Sequence, residues 1–289
     1  MKALKEGVFL GTAEQTHQQD LERLKALRYM DDDFMTVCLE DNFEGVELIL
    51  RIVLGRDDIK VKSVRTQEVL KNLQGRSATL DVHAVDGANE EFNVEIQRAD
   101  AGANPKRARH NSSLLDAHIL KPGEDTADIP DSYVIFITEN DVMKGNEPIY
   151  PVERYVTIGG NRVLFSDGSH IIYVNGKYRG NDEIGKLMHD FSCTNPEDMN
   201  YEALAKKARY FKQDEKGVAQ MCKIMEDMRN EAAREAAREA AQQAEQNKAR
   251  KMAIRMIKAG KMSLEDIADY TELSLDTIKE LESQSMQLA

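Results

Sequence analysis

The sequence contains no run of about 18 apolar residues, the length a helix needs to cross a bilayer. Its densest apolar stretches, Leu48 to Leu54 and Tyr133 to Ile137, are far shorter. Met1 to Gln19 is polar and mixed in charge, without the apolar h-region of a secretory leader, so a cytoplasmic location is expected. Cysteine is scarce: Cys38, Cys193 and Cys222 are odd in number and far apart, with no second Cys or His at zinc spacing. That excludes a disulfide framework and a zinc framework. Positive charge is also short, with 39 Lys and Arg against 51 Asp and Glu and a net charge of -12. A polyanion is repelled on average, so any contact with nucleic acid has to come from a local patch.

What is present is enough to fold. The chain has 289 residues, 41% apolar and 31% charged, which excludes a wholly disordered protein and allows a sizeable core. Residues 1–30 read as a polar lead-in. Asp31-Asp32-Asp33 then supplies helix-start chemistry ahead of Phe34, Met35, Val37 and Cys38, and Val46, Ile49, Leu50 and Val53 fall at helical spacing before the stop signal Gly55. From Ile59 the pattern turns to period two, and segments 79–85 and 91–97 flank Asp86-Gly87-Ala88-Asn89 as a β-hairpin. Residues 105–120 read as a helix, and Tyr133 to Ile137 as a strand buried on both faces, which makes the fold class α/β. Short strands at 155–158, 162–165 and 170–174 read as a β-extension closing the core at 180.

The remainder reads as helix. Residues 181–228 form a helical subdomain, and 229–250 is an Ala/Glu/Arg spacer in which Glu231 and Arg234, and Glu235 and Arg238, stand three apart. In 251–289 two short serine-capped helices resemble a helix-turn-helix. Lys248, Arg250, Lys251, Arg255, Lys258 and Lys261 lead into it, but Asp276, Glu280 and Glu282 on the second helix would meet phosphates unfavourably. These C-terminal helices are therefore a candidate surface for a homo-oligomer as well as for DNA.

Alternation along the hairpin puts Leu80, Val82 and Ala84 on one face, with Asp81 and His83 opposite. On the second strand Asn93, Glu95 and Gln97 oppose Phe92, Val94 and Ile96. Asp81, Glu95 and Gln97 can therefore converge. Two carboxylates with an amide beside them are hard oxygen ligands suited to Mg²⁺, which keeps several waters and needs only one or two carboxylates. The alternative reading is an ordinary polar outer face, and His83 reads as structural.

Gly75-Arg76-Ser77-Ala78-Thr79-Leu80-Asp81, then Asn93-Val94-Glu95-Ile96-Gln97-Arg98, then Pro105-Lys106-Arg107-Ala108-Arg109, set behind an acidic helix, resemble the PD-(D/E)xK nuclease family transposases, which are related to recombination-promoting nucleases. The resemblance extends from about Met30 to the helices near Arg229. It implies a restriction-endonuclease-like core, a mixed sheet flanked by helices whose hairpin carries the metal-binding acids. By resemblance Asp81 and Glu95 are those acids and the carbonyl of Ile96 is a further ligand. Gln97 stands where the wider superfamily has lysine. A neutral amide orients a water but brings no charge, whereas a lysine brings both. A helix acid often completes such a site; Glu44 and Glu47 are the candidates, and Glu47 is favoured by its apolar flanks. Lys106, Arg107 and Arg109 supply the local positive charge for DNA. The implied function is Mg²⁺-dependent DNA endonuclease activity associated with transposition and recombination. Two alternatives stand beside it: a catalytically weak or inactive DNA-binding member, and a helical assembly protein.

Overall fold

A computed structural model of the chain describes residues 13–72, 75–120 and 123–287. It divides into two units, the first ending at Cys222 and the second beginning at Lys223.

The first unit is built around the apolar run expected to be a strand. This strand is β4, Ser132–Thr138, and every residue in it is buried. It pairs in parallel with β3 (Glu91–Gln97) on one side and β8 (Ser169–Asn175) on the other. β1 (Val61–Leu70), β2 (Ala78–Asp86) and β3 form an antiparallel meander, and β5 (Ile149–Val152) lies antiparallel to β8 at the far edge. The result is a six-stranded mixed sheet of order β1-β2-β3-β4-β8-β5. The β2–β3 turn is held by Asp86, whose Oδ1 accepts the N–H groups of Ala88 and Glu90, each at 2.9 Å.

A parallel β3–β4 pair needs a crossover, and α4 (Pro105–Ile119) provides it. Ala108, Leu114 and Leu115 of α4 cluster with Leu80, Val134, Phe136 and Tyr173. Ile135, Ile137, Ile172 and Val174 alternate to the other face and are buried too; α2 (Asp32–Leu39), α3 (Phe43–Leu54), α5 (Glu183–Ser192) and α6 (Glu202–Gln213) pack together as a helical layer, with α2 and α3 against β1 and α2 also against β2. α3 ends where the sequence indicates, at Gly55 in the left-handed region with φ 63°.

Two expectations change. The lead-in contains α1 (Ala13–Ala26), and Leu24, Leu27, Tyr29 and Met30 are buried. The Tyr29 hydroxyl donates to the Leu204 carbonyl at 2.8 Å and the Met30 N–H to the Phe191 carbonyl at 3.1 Å, so this segment closes the helical layer; residues 1–12 lie outside the described residues. The β-extension shrinks to one exposed hairpin, β6 (Tyr155–Ile158) with β7 (Asn161–Leu164), because the strand at 170–174 is β8 and belongs to the middle of the main sheet.

The second unit opens within the helix α7 (Glu215–Ala259), which starts in the first unit and runs unbroken through the segment boundaries that the sequence suggests at 228 and 250. Its Glu-Ala-Ala-Arg stretch is exposed. Ala253, Ile267, Ala268, Ile278 and Leu281 make a small core with α8 (Leu264–Thr271) and α9 (Leu275–Gln287). Both capping serines act as expected: Ser263 accepts from the Asp266 N–H and Ser274 from that of Thr277. Among the described residues no helix is long and apolar enough to cross a membrane.

Candidate active site

The β2–β3 ladder runs from Val85 opposite Glu91 to Val82 opposite Val94 and stops, although β2 stays paired with β1 as far as Ala78. The next opposed positions are Asp81 and Glu95. Here the Asp81 side chain takes over from the backbone, its Oδ2 accepting the Ile96 N–H at 2.9 Å.

β2 also changes face at this point. Asn93 and Glu95 lie level with Val134 and Phe136, and Val82 lies level with Val94, so strict alternation would turn Leu80 to the Val94 side. Leu80 and Ala78 instead join Val134 and Phe136 beneath α4. Across from Asp81, Gln67 of β1 has a left-handed φ of 52°, while the β1–β2 register is the same on either side of it. Asp81 is thus held at a break in the sheet rather than on a regular outer face.

Glu95 is fully buried, at 0% exposure, and Asp81 nearly so at 9%. Arg107, from the first turn of α4, spans Glu95 and Gln97: its Nη2 lies 2.6 Å from Glu95 Oε2 and its Nη1 donates to Gln97 Oε1 at 3.2 Å. Gly102 makes room for that amide, since a Cβ there would lie 2.0 Å from Gln97 Oε1. The Asn93 amide and the Asp81 N–H favour the ionised form of Glu95. Neither closes a hydrogen bond with Oε1, which is buried without a partner among the described residues.

Burial, followed by the charge of Glu95, pushes the Asp81 carboxyl up to about 7, while the Ile96 N–H and Arg107 pull the other way. Burial raises Glu95 as well, against the guanidinium of Arg107. Two buried carboxylates that disfavour each other's charge, one with an unpartnered oxygen, are suited to a small hard cation. Asp81 and Glu95 would hold it, with the Ile96 carbonyl on the backbone between Glu95 and Gln97. Among the described residues no group of three or more His, Cys, Asp or Glu gathers as a metal site, so most of the coordination would be left to water and substrate.

The structure does not bring Glu47 to this pair. Glu47 is engaged by Arg51 at 2.6 Å, by Lys60 at 3.1 Å and by the Val61 N–H at 3.1 Å. Val61 pairs with Asp86, about five residues or roughly 16 Å along β2 from Asp81. Glu44, on the exposed first turn of α3, fares no better. Asp32, at the start of α2, is the helix acid whose charge is felt at the site, although it does not gather with Asp81 and Glu95 into a three-acid group among the described residues. Its charge raises Asp81 further, and its Oδ1 accepts from Gln67 Nε2 at 3.1 Å. The signal for it is the Asp31-Asp32-Asp33 run, which reads as helix-start chemistry. In the structure the Asp31 side chain caps nothing on α2 and accepts the Arg28 N–H instead.

A cleft of about 640 Å³ opens between the start of β2, the turn Asp100–Ala103 and the first turns of α4. Arg107 borders both the cleft and the carboxylate pair. Lys106 lines the cleft too, whereas Arg109 does not line it and is exposed. His83 is structural in its contacts, bridging the Glu68 and Glu91 carboxylates. Burial works against its charged form, but those two carboxylates outweigh burial and raise its pKa.

Comparison of the chain with protein-family models, curated proteins and solved structures finds no match.

Proposed function

We propose that the chain is a Mg²⁺-dependent DNA endonuclease with a restriction-endonuclease-like core, hydrolysing phosphodiester bonds in the manner of the PD-(D/E)xK nuclease family transposases. The observation that carries this reading is the buried Asp81–Glu95 pair at the break in the β2–β3 ladder, with one Glu95 oxygen unpartnered. The family, and with it the association with transposition and recombination, rests on the resemblance of residues 75–109.

A bound Mg²⁺ would neutralise phosphate oxygens as charge develops on them. The chain's own residues divide the remaining work. Asp81 is fixed by the Ile96 N–H, so its carboxylate is oriented before a metal binds. Gln97 can orient a water through its neutral amide. Arg107, hydrogen-bonded to Gln97, brings the positive charge that lysine supplies in the wider superfamily. Lys106 adds charge for the phosphate backbone.

The second reading, a protein that binds DNA without cutting it, is favoured by one observation: Arg107 already neutralises Glu95, in the position where a metal would act. Incubating the full chain with supercoiled plasmid in Mg²⁺ and in EDTA, beside Asp81→Ala, separates the two. Nicking that needs Mg²⁺ and Asp81 supports the endonuclease; plasmid binding without nicking supports the second reading.

A further inference from the structure

The cleft beside the carboxylate pair has a chemistry of its own. Arg76, Lys106, Arg107 and His110 line it and no acidic side chain does, although the chain as a whole carries a charge of -12. It sits at the N-terminal end of α4, a fifteen-residue helix without an acid in its first turn, so the positive end of the helix is unopposed. Arg76 and Lys106 are exposed and form no ion pair among the described residues, which leaves their charge available. An independent feature points the same way. Asn111 lines the cleft, is only 2% exposed, and its Nδ2 has no hydrogen-bond partner among the described residues. A buried amide donor left unpaired carries a desolvation cost that an acceptor bound in the cleft would offset.

We propose that this cleft is a phosphate subsite that holds a backbone phosphodiester of the nucleic-acid strand flanking the one to be cleaved. Arg76 and Lys106 supply charge and Asn111 Nδ2 supplies a neutral donor. The assignment of the occupant to a nucleic-acid strand rests on the endonuclease reading. The ligand chemistry, a tetrahedral oxyanion, follows from the lining alone. Arg107 joins the two sites, because the guanidinium that touches Glu95 and Gln97 also borders the cleft. A strand seated there runs directly to the carboxylate pair.

The test is anisotropy of a short labelled DNA duplex with the full chain in EDTA, where no cleavage competes, over a series of salt concentrations. Arg76→Ala, an exposed change that leaves the core intact, is expected to weaken binding and to lower the magnitude of the log–log salt slope by about 0.9, one phosphate contact. Asn111→Leu removes only a neutral donor, so affinity falls about threefold to tenfold with the slope unchanged. Arg109→Ala, outside the cleft, leaves the loss from Arg76→Ala unmatched.

Equal slope losses from Arg76→Ala and Arg109→Ala would overturn the subsite in favour of diffuse surface attraction. Unchanged affinity in both cleft variants would overturn it as well. A thermal shift with inorganic phosphate that depends on Arg76, alongside duplex affinity that does not, would overturn the strand as occupant. Intact cleft effects without any Mg²⁺-dependent cleavage would count against the endonuclease reading alone.

Discussion

Replacing Asp81 by Asn tests the electrostatics of the site without disturbing its packing. Asn is isosteric, and its carbonyl oxygen can still accept the Ile96 N–H that now reaches Oδ2 at 2.9 Å. In the folded chain burial and the Glu95 charge raise the Asp81 carboxyl to about 7, against roughly 3.9 in an unfolded chain. A raised folded-state pKa means that the folded state binds the proton more tightly. This contribution to stability is therefore fully present below about pH 3.9 and is lost as pH rises, until the loss levels off above about pH 7. Within that window each pH unit costs about 1.4 kcal/mol. Between pH 5 and pH 7 the wild type should lose about 2–3 kcal/mol from this one group, and Asp81→Asn should lose none of it. The assay is urea unfolding of both proteins in metal-free buffer at a series of pH values. Subtracting the two curves cancels the groups that do not interact with Asp81 and leaves Asp81 together with the response of Glu95 to its charge, and the variant should gain on the wild type across the window. Addition of Mg²⁺ above pH 7 should then stabilise the wild type and not the variant. Parallel stability curves would refute the argument, because they would mean that Asp81 is neither desolvated nor repelled in the folded state.

Three further outcomes follow from neighbouring residues. His83→Gln leaves Glu68 and Glu91 without their shared cation and should cost about 1–3 kcal/mol near pH 6; because the folded-state pKa of His83 is raised, the deficit should be largest below about pH 6.5 and shrink at higher pH, as thermal melts across that range would show. Gly102→Ala forces a methyl group into the space of Gln97 Oε1, so cleavage should slow by about tenfold or more while Mg²⁺ affinity, measured calorimetrically, stays near wild type. Gln97→Lys places a second cation beside Arg107, and we expect cleavage to persist with Mg²⁺ bound several-fold more weakly; lost cleavage with unchanged Mg²⁺ affinity would contradict the roles given to Gln97 and Arg107.

The parts of the fold that sequence reading captures are those whose signal is local. The short run Tyr133 to Ile137 reads as a strand with both faces covered, and β4 is one, buried along its whole length. The spacing of Val46, Ile49, Leu50 and Val53 before Gly55 makes α3 equally legible. What is missed depends on distant partners. α1 looks polar because most of its residues face solvent, and the anchors that follow it, Tyr29 and Met30, declare themselves only once α6 and α5 are hydrogen-bonded to them. The strand at 170–174 looks like a continuation of the exposed hairpin before it, and only its pairing with β4 makes it central.

The candidate site is legible for a reason that alternation only half supplies. Asp81 and Glu95 do stand opposite one another in register, but Asp81 arrives there through a break in alternation opposite the left-handed Gln67. Period-two counting has no means of showing such a break. Asp32 is hidden because three consecutive aspartates before an apolar helix satisfy capping rules on their own. Arg107 is visible as a cation near a helix start, but that it would reach Glu95 and Gln97 depends on how α4 lies against β3.

The central claim is that Asp81 and Glu95 form a metal-dependent phosphodiesterase centre. Its most direct test is the rate at which supercoiled plasmid is nicked by wild type and by Glu95→Gln, matched for folding by circular dichroism, across a Mg²⁺ titration. Glu95→Gln keeps the size of the side chain and removes the charge that Arg107 and a metal would share. The account predicts saturable, Mg²⁺-dependent nicking by the wild type and a loss of about a hundredfold or more in the folded variant. Equal nicking by the two proteins, or nicking by the wild type that persists in EDTA, would contradict it.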